Sequence, residues 1–154
     1  MTELTYKSRG LYFAEFEIGQ KLVTAGRTIT ESDIVRFAGL TGDFNQMHTD
    51  AEYAAAGPFE KRVAHGLLVQ SVAVGSAAQS GVIEGTVLAF RELNCKFSLP
   101  VFIGDTVHVK LEIIKKKALP RLEGGQIVMK FRVLNQEGKA VQRGEWVLLV
   151  QSRE

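Results

Sequence analysis

The stretch that decides the fold spans residues 65–79 and reads HGLLVQSVAVGSAAQ. Its residues are apolar or small on nearly every face of a helix, and Gly81 follows as a stop signal. A helix that is apolar all round is a buried helix. We therefore predict one long helix, from about His65 to Gln79, at the centre of the molecule.

The second half of the chain has the pattern of β-strands. From Gly85 onward the apolar residues recur with a period of two, cleanly over residues 106–113 and 127–133. Val141, Arg143, Glu145 and Val147 continue the alternation less cleanly. Glycine, proline and asparagine turn signals separate these runs. The pattern predicts about four strands.

The first half of the chain has the signals of helices after one strand. Residues 21–29 are strand-like, and Thr30 with Asp33 resembles a capping box that begins a helix. A short helix is predicted from Asp50 to Ala56. The order of strand, helices and four strands predicts an α+β domain whose antiparallel sheet wraps around the buried helix. Such a sheet leaves an edge strand that a second copy of the chain can cover.

Length and composition indicate one domain and limit the possible partners. The chain has 154 residues, with a polar stretch at residues 1–10 that we expect to be a flexible tail before a domain at 11–154. The net charge of +2 is too balanced for bulk attraction to nucleic acid. No apolar stretch is long enough for a bilayer, so no membrane partner is expected. The single Cys95 fits a reducing compartment, and we expect a cytoplasmic location.

Two short segments hold the side chains that could carry chemistry. Asp43, Asn45 and His48 place a carboxylate, an amide and an imidazole within six positions of a glycine-flexed stretch between two helices. His65 and Gly66 begin the buried helix, where backbone N–H groups are free. Together these residues supply a general acid/base pair and a site for developing negative charge.

Three blocks of the sequence resemble one known family. GDFNQMH at residues 42–48 resembles the Gly-Asp-x-Asn-Pro-x-His signature of the MaoC-like, (R)-specific enoyl-CoA hydratases. AHGLL at 64–68 and FSLPVFIGD at 97–105 are similar to the second and third blocks of that family, in the family's order and at similar separations. One departure is Gln46, which stands where the family usually has proline. Proline would stiffen the loop that holds His48, so Gln46 leaves the loop more adjustable.

The resemblance implies a hot-dog fold over residues 11–154, with a long helix wrapped by a curved antiparallel sheet. It implies a homodimer, or a higher oligomer of dimers. The implied activity is a hydro-lyase reaction of fatty acid metabolism: hydration of a trans-2-enoyl thioester to the (R)-3-hydroxyacyl thioester, and the reverse dehydration. The substrate would be a thioester of coenzyme A or of acyl carrier protein. No metal or redox cofactor is expected, because the thioester itself acidifies the α-proton.

The family resemblance also implies a role for each candidate residue. Asp43 and His48 would hold one water between them as the catalytic pair, with Asp43 as proton acceptor. Asn45, His65 and Gly66 would bind the substrate or fix the loop, and the Gly66 N–H at the helix start would face the thioester oxygen.

Several alternatives stay open at the level of sequence. An acyl-CoA thioesterase would direct water to the carbonyl carbon instead, and a non-catalytic protein would only bind the acyl thioester. A metal site at Asp43, His48 and His65 has no supporting spacing such as His-x-x-x-His. Lys61 and Arg62 are placed along the chain to meet an anionic ligand that enters at the helix start.

Overall fold

The computed structural model describes residues 2–153, in which one antiparallel sheet packs against one long helix. This arrangement confirms the predicted α+β hot-dog fold. The helices are α1 Glu31–Thr41, α2 Gln46–Thr49, α3 Ala51–Ala55 and α4 Gly66–Gln79. The strands are β1 Lys21–Val23, β2 Arg27–Thr28, β3 Val87–Phe97, β4 Thr106–Leu119, β5 Gly124–Leu134 and β6 Ala140–Gln151. Two short 3-10 helices lie at Phe13–Glu15 and Pro120–Leu122.

The sheet has four long strands and two short ones. Its order is β1, β4, β5, β6, β3, and β2 pairs with β4 beyond the end of β1. Every pairing is antiparallel. Among residues 2–153, β3 pairs only with β6, so it forms an edge of the sheet that is eleven residues long.

Helix α4 supplies the centre of the hydrophobic core. Ala73 and Ala77 are fully buried against the sheet, and Trp146 stacks on Phe131 in the same core, with 5.0 Å between ring centroids. The prediction that the helix is buried on every face was wrong for one face. Leu67 is 58% exposed, and the exposed positions Ser71, Gly75 and Ala78 continue that face along the helix.

The ends of the elements follow the sequence signals closely. Thr30 caps α1 through the predicted box, because its hydroxyl accepts from the Asp33 N–H while the Asp33 carboxylate accepts from the Thr30 N–H. Asp50 caps α3. His65 is the residue before the first turn of α4, so the predicted helix start is correct to within one residue.

Two details of the strand prediction were wrong. The single strand predicted for residues 21–29 is two short strands, separated where Thr24 turns its hydroxyl to the Val109 N–H. In β6 the core-facing residues are Trp146, Leu148 and Val150, while Arg143 and Glu145 point outward. The buried Val141 lies within a register irregularity between β5 and β6, which explains the weak alternation of this segment.

The polar stretch at residues 1–10 can be described from Thr2 onward. The Gly10 N–H donates to the Glu84 carbonyl at 2.9 Å, and Arg9 forms an ion pair with the Glu84 carboxylate. The end of this stretch is therefore attached beyond the C-terminal end of α4. The flexibility expected for it stays a prediction. Within residues 2–153, no helix combines the length and the apolar character needed to cross a bilayer.

Candidate active site

The loop after α1 holds its own shape through local hydrogen bonds. Gly42 ends α1 in the left-handed conformation, with φ of 78°, which glycine adopts without steric cost. The Asp43 carboxylate then accepts from the Asn45 N–H at 3.2 Å, and the Thr49 hydroxyl donates to the Phe44 carbonyl at 3.0 Å. These bonds turn the chain from α1 directly into the single-turn helix α2.

His48 lies in α2, and its ring is held by the backbone. Its Nδ1 lies 2.7 Å from the Val63 carbonyl oxygen, which can only accept a hydrogen bond. Nδ1 therefore carries the proton in the neutral imidazole, and Nε2 carries the lone pair. The side chain is buried and lines a cavity, so the basic nitrogen is the one left for a ligand.

His65 links the start of α4 to the Asp43 loop. Its Nε2 donates to the Asp43 backbone carbonyl at 2.9 Å, and its ring stacks on His48 with 3.8 Å between centroids. Within residues 2–153, its Nδ1 is buried and makes no hydrogen bond. His65 thus supports Asp43 through a backbone hydrogen bond and His48 through ring stacking.

The predicted acid/base pair comes together at this point. One side-chain ligand atom from each of Asp43, His48 and His65 lies within 4.8 Å of the other two. Asp43 is exposed, while the two histidines are buried. The three groups therefore form one cluster at the boundary between the interior and solvent.

A cavity of about 450 Å³ opens beside this cluster. Its wall is mostly apolar and includes His48 and the first turn of α4. Gly66, the first residue of α4, has an N–H that no carbonyl of the helix can accept. A Cβ at Gly66 would lie 2.6 Å from two carbons of the Phe97 ring, so only glycine allows this ring to pack on the helix start.

The other candidate residues lie around the cavity without forming its wall. Asp43, Asn45 and His65 are not among the residues that line it. Asn45 is exposed, and its side chain makes no hydrogen bond to cap α2. The roles predicted for these residues stay predictions, and the Asp43 carboxylate lies within 4.8 Å of a His48 ring nitrogen.

The stacked histidines do not suit a shared metal ion. An imidazole binds a metal in the plane of its ring. The rings of His48 and His65 are only 26° from parallel at 3.8 Å, so one ion cannot lie in both planes. The expectation that no metal resides here stays a prediction with this geometric support.

Gln142, which was not predicted as a site residue, is a buried polar residue that lines the cavity. Gln142 is 2% exposed, and its Nε2 donates to the Gly66 carbonyl at 2.7 Å. Cys95 and Gln70 lie next to it, with the Cys95 sulfur 3.8 Å from the Gln142 oxygen. Burial raises the pKa of the Cys95 thiol, which disfavours the reactive thiolate form. A polar residue on the inward phase of a core strand is the signal that could have identified Gln142.

Arg62 also has a place that the sequence analysis did not foresee. It was considered for binding an anionic ligand, but its Nε donates to the His48 backbone carbonyl at 2.8 Å. Its Nη1 bonds to the Glu31 carboxylate. Both of these donors are therefore bonded to the protein rather than left for an anionic ligand.

Gln46 occupies the first position of α2, where proline is well tolerated. The preceding residue, Asn45, has ψ of 133°, which is the extended conformation that a following proline enforces. The loop therefore already has the shape that the usual proline of the signature would impose.

Comparison with known proteins gives matches to one family and to enzymes that are similar in sequence. Residues 14–129 match the family described as the MaoC like domain. Protein MaoC of Klebsiella aerogenes is 40% identical over 105 residues, and the 3-hydroxybutyryl-CoA dehydratase of Methylorubrum extorquens is 37% identical over 105 residues. Each match covers 68% of this chain. The chain spans 31% of the length of the first relative and 65% of the second.

A solved structure shares the fold over most of both chains. R-Hydratase PhaJ1 from Pseudomonas aeruginosa, in the unliganded form, superposes with a TM-score of 0.79 at 33% sequence identity. The superposition covers 94% of this chain and 88% of that protein.

The conformation of Asn45 predicts the effect of Gln46→Pro. Among residues 2–153 the Gln46 N–H has no acceptor, so proline removes no hydrogen bond and restricts only the unfolded chain. We expect the free energy of unfolding to rise by about 0.4–1 kcal/mol, measured by urea denaturation. Gln20→Pro is the matched control, because the Gln20 N–H bonds to the Glu17 carbonyl and its loss should destabilise the protein. A Gln46→Pro variant less stable than the parent would contradict this account of the loop.

Proposed function

Because the chain belongs to the MaoC-like domain family, we propose that it is an (R)-specific enoyl-thioester hydratase that also works in reverse as a 3-hydroxyacyl-thioester dehydratase. The observation that carries the proposal is the pairing of the Asp43 carboxylate with the His48 imidazole beside a cavity that begins at Gly66. The names of two relatives support the reaction class: one is a 3-hydroxybutyryl-CoA dehydratase and the other an R-hydratase.

The proposed reaction places one water between Asp43 and His48. The water oxygen adds to Cβ of the enoyl thioester while one water proton passes to the Asp43–His48 pair, and the pair then delivers a proton to Cα, so that one whole water is added. The free Nε2 of His48 accepts a hydrogen bond from the water, and the Asp43 carboxylate takes part in the proton transfer.

Negative charge collects on the thioester oxygen during this addition. The Gly66 N–H lies at the start of α4, where it can donate to that oxygen together with the positive end of the helix dipole. A donor of this kind is worth about 3 kcal/mol of the barrier. Gln142 fixes the carbonyl of the same glycine, which keeps the first turn of α4 rigid.

The proposed substrate is an acyl-CoA thioester, and a thioester of acyl carrier protein presents the same reactive arm. The apolar wall of the cavity, including Val69 and Val101, suits the acyl chain. The chemistry needs no metal or redox cofactor, since the thioester acidifies the α-proton. Fatty acid metabolism and the cytoplasm remain the expected setting.

The edge strand supports a homodimer. The exposed apolar residues Phe90 and Leu93 lie along β3, and Leu67 and Phe97, exposed at 58% and 56%, form one open side of the cavity. A long unprotected edge of this kind is a template for pairing with another chain. Two-fold pairing of β3 with β3 of a second copy would cover these residues and close the cavity.

The acid/base assignment is tested by Asp43→Asn, which keeps the size and removes the charge. We expect kcat for crotonyl-CoA hydration, followed as loss of enoyl absorbance, to fall by about 10²- to 10⁴-fold. Asp50→Asn is the matched control, because Asp50 only caps α3 and asparagine caps equally well. Full turnover in Asp43→Asn would overturn the assignment. Thioester hydrolysis also removes the absorbance of the conjugated thioester, so release of free thiol in step with the absorbance loss would identify a thioesterase. A parent protein that shows neither absorbance loss nor thiol release would be a binding protein.

The dimer is tested by Leu93→Asp, which places a charge in the proposed interface. Light scattering should give twice the chain mass of 17.0 kDa for the parent protein and a single chain mass for the variant. Leu40→Asp is the control, since Leu40 lies exposed on α1 away from β3. A monomeric parent protein, or a dimer unaffected by Leu93→Asp, would contradict pairing through this edge.

A further inference from the structure

Arg62 is held between the site loop and helix α1. Its Nε donates to the His48 carbonyl at 2.8 Å, and its Nη1 bonds to the Glu31 carboxylate at 2.5 Å. The Arg62 side chain is only 15% exposed, whereas that of Glu31 is 62% exposed. The guanidinium is therefore largely shielded from solvent, and its Nε and Nη1 donors are bonded to the chain rather than to a ligand.

Three hydrogen bonds connect residues 62 and 63 to residues 47 and 48. The Val63 N–H donates to the Met47 carbonyl at 3.2 Å, and the Val63 carbonyl accepts from His48 Nδ1 at 2.7 Å. The third bond is the one from Arg62 to the His48 carbonyl. Val63 makes its two bonds to α2 through backbone atoms, whereas Arg62 makes its bond through the side chain.

Helix α2 cannot hold His48 in place by itself. It has four residues, and a single helical turn is unfavourable in isolation because it fixes many dihedrals for few hydrogen bonds. The Arg62 bond is charge-assisted and satisfies a carbonyl in the last turn of α2. The orientation of His48 thus depends on bonds from outside α2.

We propose that Arg62 is a positioning residue for His48, and that Glu31 in turn fixes Arg62. The inference rests on the proposed hydratase function and deepens it. Arg62 sets the His48 backbone, Val63 sets the ring, and together they leave Nε2 as the ring nitrogen available to a ligand. Displacement of a reacting group by about 1 Å can cost on the order of 100-fold in rate. We therefore expect loss of the bond from Arg62 to the His48 carbonyl to lower the rate by up to this factor.

The test compares Arg62→Met with a second arginine bonded to the same helix. Arg27 Nη2 bonds to the Asp33 carboxylate in the first turn of α1 at 2.7 Å, and within residues 2–153 the Arg27 side chain makes no hydrogen bond to residues 43–50. Arg62→Met should lower kcat for crotonyl-CoA by about 10- to 100-fold with KM changed less than threefold. Arg27→Met should leave both constants unchanged. Loss of kcat in both variants, or in neither, would overturn the proposal.

A second substrate separates positioning from ligand binding. Crotonyl-pantetheine carries the same thioester arm as crotonyl-CoA but has no phosphate groups. If Arg62 positions His48, Arg62→Met loses the same factor in kcat with both substrates. If Arg62 instead binds phosphate, the loss appears in KM for crotonyl-CoA alone, and the proposal fails.

Two further measurements keep the test decisive. If Arg62→Met does not fold, Glu31→Gln removes the partner of Arg62 while keeping the arginine, and kcat should fall two- to tenfold with KM maintained. If the parent protein has no hydratase activity, the proposed function fails, and positioning is read from the His48 ring signals by nuclear magnetic resonance. Arg62→Met should shift those signals and leave His108 unchanged, whereas unchanged His48 signals would overturn the inference.

Discussion

The hydrogen bond between His48 Nδ1 and the Val63 carbonyl is the contact on which the candidate site depends. At 2.7 Å it determines which ring nitrogen carries the proton and therefore which one can accept from a water. If Nδ1 lacked the proton, its lone pair would face the Val63 carbonyl oxygen, and Nε2 would carry an N–H that cannot accept from a water. Every chemical role proposed for the Asp43–His48 pair requires the orientation that this bond sets.

The fold makes that carbonyl rigid. Val63 forms an isolated bridge to Phe102, and the Ala64 N–H donates to the Val101 carbonyl at 2.8 Å, so the segment before α4 is tied to the chain that leads into β4. The core then holds α4 through small, fully buried residues such as Ala73. A backbone group tied to the sheet and to the central helix thus orients a side chain on a short loop helix.

Local signals in the sequence predicted the elements, while contacts between distant segments could not be read from it. The Thr30 capping box and the long apolar helix are local patterns, and both are present. The cluster of Asp43 and His48 was expected because one short segment carries both. The bond from Arg62 to His48 joins residues that are 14 positions apart, and the bond from Gln142 to Gly66 joins residues 76 apart. Such pairings depend on the packing of the loop and on the register of β6, which no spacing in the sequence encodes.

The most direct test of the account is the protonation of the histidine rings. The chain has three histidines, so two-bond proton–nitrogen spectra of ¹⁵N-histidine-labelled protein can be assigned with one variant for each. At a pH where the rings are neutral, we expect His48 to carry its proton on Nδ1 and His65 on Nε2. A His48 ring protonated on Nε2 would contradict the account, because its lone pair would then face the Val63 carbonyl oxygen and Nε2 could not accept from a water.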